Sequence, residues 1–333
     1  MHNQISQIEH FLLSEVSACK VLVIGDVMLD IYYWGNVNRI SPEAPVPIVK
    51  VAKEIKTLGG AGNVASNLAQ LGCQVLLSGV TGDDDNRQQL QQLMSMHNIE
   101  CSGIFKSNRP TITKTRIIAN HQQIARLDFE EVIPLTEHEE KRLLKRVLAA
   151  LSQDVNIVIV SDYDKGVCTP TVCKTIINEC QRLNIPTIVD PKGQDWSKYQ
   201  GADYITPNIK ELSTVLCCHI NNSNDAIYHH ALKVREYFNI KNVLVTRSEK
   251  GLSFVNDSGV VHIPTRAQEV FDVSGAGDTI VATLGIMLAG VIDSCTAVKI
   301  ANLAAGIVVA KIGTSPINSN ELLNALRHAN APL

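Results

Sequence analysis

The densest candidate chemistry in this 333-residue sequence is the run Asp272-Val273-Ser274-Gly275-Ala276-Gly277-Asp278, which leads into an apolar helix predicted from about Thr279. Three small residues let a backbone approach a ligand closely. Amides at a helix start point outward, and the helix dipole favours an anion there. Together they form a physical recipe for holding a transferring phosphoryl group. A carboxylate beside that anion is repelled by it, so Asp278 needs a reason to be there. Taking a proton from an attacking hydroxyl is such a reason. The competing reading is a glycine-rich turn in which Asp278 merely caps the helix. No Gly-Lys-Ser/Thr follows, so the segment is not a Walker A loop. No G-x-G-x-x-G follows the first predicted strand, which argues against a dinucleotide-dependent oxidoreductase.

The elements that must position these residues alternate. Strands are predicted at Lys20–Gly25, Val75–Val80, Ile157–Val160, Thr187–Val189, Tyr204–Thr206 and Val243–Thr246. Helices are predicted at Ala61–Leu71, Arg87–Met96, Glu137–Leu151, Pro170–Leu183, Lys210–Leu216 and Ala226–Phe238. That rhythm predicts an α/β fold with a mostly parallel central sheet covered on both faces. Two stretches break it. Residues 31–51 hold three prolines and read as extended pieces, and 111–128 alternate around Asn120-His121. Both are expected to form antiparallel strands outside the main sheet, as a small β lid within a single domain.

Composition narrows the class further. With 45% hydrophobic and 19% charged residues, one large core is available without staples. The net charge of -3 and the lack of a Lys/Arg block argue against a nucleic-acid surface. Nine cysteines without a C-x-x-C pair predict reduced thiols in a cytoplasmic protein rather than a disulfide or zinc framework. Ile5, Ile8, Phe11, Leu12 and Val16 fall at helical spacing, so the N-terminus reads as a core-packed amphipathic helix, not a signal peptide. The apolar run from Ile280 to Leu288 is shorter than the roughly 20 residues of a membrane span. His229-His230 lies on a predicted surface helix and reads as solvated.

The glycine-rich run resembles the C-terminal D-T-x-G-A-G-D signature of the ribokinase, or phosphofructokinase B, family of carbohydrate kinases, with Val273 in place of the usual Thr. Gly59-Gly60-Ala61-Gly62-Asn63 is similar to the family's Gly-Gly pair before a helix. Asn208 and Glu211, after Pro207, match its N-x-x-E. Thr246 to Gly251 resembles its T-x-G-x-x-G, with Ser248 departing from the usual Gly. These motifs occur in family order. Longer blocks resemble the D-glycero-β-D-manno-heptose 7-phosphate kinases within that family. They include 25–30, 39–47, 126–130, Ser161-Asp162-Tyr163, Lys165-Gly166, 190–193 and 311–315.

The resemblance implies a ribokinase-like three-layer α/β/α sandwich and an ATP- and magnesium-dependent transfer to the C1 hydroxyl of the heptose 7-phosphate, a step towards ADP-heptose and lipopolysaccharide core. It implies Asp278 as base and the amides of Gly275, Ala276 and Gly277 as the anion site. Asn208 and Glu211 would organise magnesium through water, although as a pair they also read as a helix cap. Asp30 and Asn63 would bind sugar hydroxyls, with Gly59 and Gly60 allowing close approach. Lys192, Thr246, Ser248, Gly251 and Asn302 would line the nucleotide side. Asp272, Ser274, Gly313 and Ser315 correspond to a potassium site of some members. A 7-phosphate needs basic groups. Lys114 and Arg116, two apart in a predicted strand, share a face, as do Arg126 and Asp128 on the next; Lys165 and Arg39 compete with them. The pairs read equally well as a solvated, salt-bridged hairpin face. The same resemblance implies a homodimer paired through the lids. The fused nucleotidyltransferase of many relatives is expected to be missing, since the sequence stops about twenty residues beyond Gly313.

Overall fold

A computed structural model describes residues 2–120, 122–265, 270, 272–311 and 315–328. Helix α1 (His2–His10) leads into β1 (Lys20–Gly25). The chain then leaves on β2 (Val27–Ile40) and β3 (Pro47–Gly60), and α2 (Ala61–Leu71) returns it to β4 (Gln74–Thr81). After α3 (Asp85–Met96) and β5 (Ile99–Lys106) comes a second excursion, β6 (Thr113–Ala119) and β7 (Gln122–Phe129). The alternation resumes with α4 (Glu137–Leu151), β8 (Ile157–Ser161), α5 (Pro170–Leu183), β9 (Thr187–Asp190) and β10 (Tyr204–Ile205). It continues through α6 (Ile209–Val215), α7 (Asn224–Phe238), β11 (Asn242–Thr246) and β12 (Leu252–Asn256) to the edge strand β13 (Gly259–Ile263). Helices α8 (Ala276–Ala289), α9 (Ser294–Val308) and α10 (Ser319–His328) complete the chain.

The main sheet has nine strands in the order β13-β12-β11-β10-β9-β8-β1-β4-β5. Pairing is parallel from β5 to β11, and β12 and β13 add on antiparallel. Successive side chains of a strand face opposite layers. Val21 and Val23 accordingly pack with α2, α8, α9 and α10, while Leu22 and Ile24 pack with α4, α5 and α7. Such fully buried side chains each contribute roughly 1.5–3 kcal/mol. On α4, Leu143, Val147 and Leu151 form a buried stripe at i, i+4, i+8, and Thr136 and Glu139 close a reciprocal capping box at its start. The result is the three-layer α/β/α arrangement expected from the alternation.

A second sheet, β3-β2-β6-β7, stands beside the first. Strands β2 and β3 are 14 residues each and pair antiparallel from Val27↔Gly60 to Ile40↔Pro47. They are longer than the 31–51 extended pieces read from sequence. Pro42, Pro45 and Pro47 gather at the hairpin's far end, where a missing N–H interrupts no ladder. Among the described residues no helix is long and apolar enough to cross a membrane.

Candidate active site

In open α/β sheets ligands bind outside the carboxyl ends of the strands, where the strand order reverses. Here the chain leaves β1 for β4 on one side and returns to β8 on the other. A cleft opens along that edge. Tyr163 follows β8, Asp190 ends β9, Asn208 follows β10 and Thr246 ends β11, and all of them line it. Gly275, Gly277 and Asp278 form its opposite wall.

Helix α8 starts at Ala276, earlier than the sequence reading, with Gly275 at its N-cap at φ 81. Asp278 therefore lies in the first turn. The helix is apolar around nearly its whole circumference and buried along its length, so packing fixes where that carboxylate points. Asp278 is only 6% exposed. Its Oδ2 accepts from Asn63 Nδ2 at 2.6 Å and its Oδ1 from the Tyr163 hydroxyl at 2.6 Å. Burial pushes its pKa up to about 6; the two donors oppose that rise, and the charge of Asp30 adds to it. Ala276 departs from expectation: its amide closes a turn onto the Val273 carbonyl at 3.3 Å and does not serve the cleft, unlike its glycine neighbours, which line it.

The Gly59-Gly60 pair sits where β3 meets α2. A Cβ on Gly59 would stand 2.8 Å from Asp30 Oδ2, and one on Gly60, at φ 56, would stand 2.4 Å from the Asp26 carbonyl. Asp30, 5% exposed, accepts from Arg116 Nη1 at 2.9 Å. The two residues assigned to different parts of a substrate are thus bonded to each other, and Arg116 also lies 5.1 Å over the Tyr32 ring. Asn63 likewise spends its amide on Asp278, while Asn67 Nδ2 donates to the Asn63 carbonyl at 2.9 Å. Register aligns Asp30, Lys114 and Asp128 in one row, and Tyr32, Arg116 and Arg126 in the next. Lys114 and Arg116 therefore share the face that holds Asp30. Burial, with the charge of Lys165 nearby, lowers the Lys114 pKa. Lys165 comes from the loop after β8 and pairs with Glu130 at 2.7 Å. Arg126 and Asp128 are exposed and bond to each other twice, at 2.9 Å each. Arg39 is exposed nine positions beyond Asp30 along β2, roughly 30 Å away at strand rise, so this chain does not bring it to the cleft.

On the other wall, Asn208 and Glu211 do form a reciprocal capping box on α6, with both bonds at 2.9 Å. They also line the cleft, and Glu211 Oε1 accepts from Lys192 Nζ at 2.7 Å. Asp190 is held well above the usual carboxylate range by burial and by the charges of Asp278 and Glu211. This oxygen-rich, mutually repelling set fits a divalent cation that would relieve it. Among the described residues no three His, Cys, Asp or Glu side chains converge to ligate one directly, so binding through water suits the site. Ser248, exposed, adopts φ 52, a conformation that explains the glycine usual there. Gly251, at φ 79, has no room for a side chain because a Cβ would stand 2.1 Å from the Ile263 carbonyl. Asn302 is buried and donates to the Pro264 carbonyl at 2.8 Å, a structural tie between α9 and the segment after β13. Asp272 Oδ1 accepts from Ser274 N at 2.8 Å; Ser315 is described, and Gly313 lies outside the described residues.

Sequence reasoning assigned no role to Asp26, Asp162, Tyr163 or Asp190. A signal existed, since each stands at or just after the carboxyl end of β1, β8 or β9. Asp26 is fully buried and accepts from the amides of Tyr163 (2.8 Å), Lys165 (3.1 Å) and Val167 (3.1 Å). Asp162 accepts from Lys198 Nζ at 2.6 Å and Tyr199 OH at 2.5 Å. These bonds shape the loop that follows β8.

Comparison with known proteins identifies the family and the fold. Residues 18–321 match the profile of the pfkB family carbohydrate kinases. The chain is 44% identical over 316 residues to the bifunctional protein HldE of Campylobacter curvus, covering 94% of this chain and 66% of that protein. It is 41% identical over 333 residues to the bifunctional protein HldE of Koribacter versatilis, covering 100% and 68%. The chain thus spans about two thirds of the length of these curated relatives. Phosphofructokinase-2 from Escherichia coli in complex with potassium superposes with a TM-score of 0.78 at 20% identity, over 93% of this chain and 98% of that one. Arabidopsis thaliana ribokinase complexed with ribose and ATP superposes with a TM-score of 0.72 at 17% identity, over 93% and 99%. Both establish the ribokinase-like fold.

Proposed function

Because the chain belongs to the pfkB family of carbohydrate kinases, we propose that it transfers the γ-phosphoryl group of ATP to the C1 hydroxyl of D-glycero-β-D-manno-heptose 7-phosphate. The observation that carries this reading is Asp278: buried, held at both oxygens, and set in the first turn of α8 beside the two glycines that face the cleft. Asp278 accepts the C1 hydroxyl proton as the C1 oxygen bonds to phosphorus. The bond from phosphorus to the bridging oxygen breaks, and ADP leaves with those electrons. The amides of Gly275 and Gly277 stabilise charge on the moving group. Lys192, Thr246, Ser248 and Gly251 face the nucleotide. Asn208 and Glu211 hold magnesium through water, and the ion supplies charge neutralisation on the phosphates. Asp272, Ser274 and Ser315 would contribute to a monovalent-cation position.

The heptose 7-phosphate itself rests on the resemblance of the longer sequence blocks and on the basic face beside Asp30. Asp30 and Asn63 order the sugar, and Lys114, Arg116 and Lys165 receive its phosphate. The second sheet, residues 27–60 and 113–129, acts as the lid that excludes water. Its exposed Ile40, Leu127 and Phe129 support pairing of two lids in a homodimer. Nine free thiols support a cytoplasmic setting. Relatives called bifunctional, about half again as long as the matched region, are what a kinase joined to a second activity would give.

Purified protein offered ATP with a panel of sugars and sugar phosphates tests the assignment. Heptose 7-phosphate should release ADP faster than any hexose, pentose or hexose phosphate. ADP release with a hexose and none with the heptose phosphate would reassign the acceptor.

A further inference from the structure

Resting on the reading of Asp278 as the base, we infer that Tyr163 is a positioning residue for that base: its hydroxyl, presented by a loop clamped to Asp26, fixes the orientation of the Asp278 carboxylate. A carboxylate in a helix's first turn keeps rotation about its side-chain bonds unless both oxygens are held. Asn63, from α2, holds Oδ2 at 2.6 Å, and Tyr163 holds Oδ1 at 2.6 Å. Each oxygen retains a second acceptor site for the incoming hydroxyl proton.

What makes Tyr163 a rigid support is the backbone beneath it. The Asp26 carboxylate gathers three amides of one loop, those of Tyr163, Lys165 and Val167. Asp26 is itself pinned through its main chain: its N–H donates to the Ser161 carbonyl at 3.3 Å, and its carbonyl accepts from the Ala61 amide at 3.0 Å. Arg109, 7% exposed, grips the same loop by donating to the Lys165 carbonyl at 3.1 Å. Asp26, fully buried with its carboxylate spent on these amides, is not available to a substrate. It acts only through the loop.

The chemistry of the pair runs one way. Burial and the Asp278 charge hold the Tyr163 phenol well above its usual pKa, so it remains a donor across the working range. A donor that favours the charged form of Asp278 opposes the effect of burial and keeps the base ionised near neutrality. Removing the hydroxyl should therefore disturb turnover and its pH dependence together, leaving ground-state binding alone. A merely structural tyrosine would not link those readouts.

The test measures kcat, KM and the acid limb of kcat/KM for wild type, Tyr163→Phe and Asp278→Asn, with ATP dissociation constants as a check on folding. For Tyr163→Phe the expected results are a fall in kcat of about tenfold, an acid limb moved up from about pH 6 by roughly one unit, and ATP affinity within about twofold of wild type. Site-directed 3-fluorotyrosine at 163, a stronger donor on the same ring, should move the limb to lower pH. It reads the same quantity should the phenylalanine variant fold poorly. Wild-type kcat and an unmoved limb in both Tyr163 variants, with Asp278→Asn inactive, would overturn the inference and leave the base standing. A near-wild-type rate for Asp278→Asn would remove the base, and this role with it.

Discussion

The carboxylate proposed as the base should weaken the fold it sits in, and Asp278→Asn measures by how much. Burial raises the Asp278 pKa from an ordinary 3.8 to about 6. The folded protein thus binds this proton more tightly than the unfolded chain does. Stability from that proton is fully present below about pH 3.8 and is lost as pH rises through about 6. A displacement of about 2 in pKa, at 1.36 kcal/mol each, means the ionised group costs about 3 kcal/mol at pH 8. An asparagine there carries no charge, and its polar atoms find partners. Its oxygen can accept from Asn63 Nδ2, and its NH2 can donate to the Tyr163 oxygen, which has acceptor sites of its own. The variant should therefore be more stable than wild type at pH 8 by about 1–3 kcal/mol, a rise of a few degrees in Tm. The gain should shrink towards zero near pH 4. Asp26, also raised to about 6, is common to both proteins and cancels in the difference. Over the same series kcat should be lower by roughly 10²-fold or more. Urea or thermal unfolding of the two proteins from pH 4 to 8 gives the answer. A stability difference that is negative, or the same at pH 4 and pH 8, would refute the claim that Asp278 is a buried charge held against its preference for the proton.

Two further variants address the sugar side. Gly59→Ala places a Cβ 2.8 Å from Asp30 Oδ2 and 2.9 Å from Met28 Cγ, so Asp30 must shift. Steady-state kinetics should show KM for the sugar phosphate rising by about tenfold or more, with KM for ATP within about twofold; an equal change in both would refute the close-approach role. Arg116→Ala strands the buried Asp30 carboxylate, which should destabilise the fold by about 3 kcal/mol and raise KM for the phosphorylated acceptor more than KM for ATP. Equal effects on the two substrates, with an unchanged unfolding midpoint, would place Arg116 outside the site.

Local pattern was enough for much of this protein. The buried apolar runs of β1 and β8 and the stripe on α4 are short-range features, and each appears where periodicity predicts it; the glycine-rich helix start is legible too, although α8 begins three residues earlier, at Ala276. Strand parity alone put Lys114 and Arg116 on one face. Strands β5, β12 and β13 escaped notice because β5 carries exposed positions and Gly103 with a register shift opposite, while β12 and β13 form a short antiparallel hairpin outside the strand–helix alternation. What tertiary structure decided is which of these surfaces meet. Asn63 reaches Asp278 across 215 positions of chain, Tyr163 reaches it across 115, and Arg116 reaches Asp30 across 86. No local rule ranks such partners, because their contact depends on the order of strands in two sheets and on the register between them. The residue types for the chemistry were legible along the chain; the hydrogen bonds that aim the base and occupy Asp30 exist only once the strand ends converge.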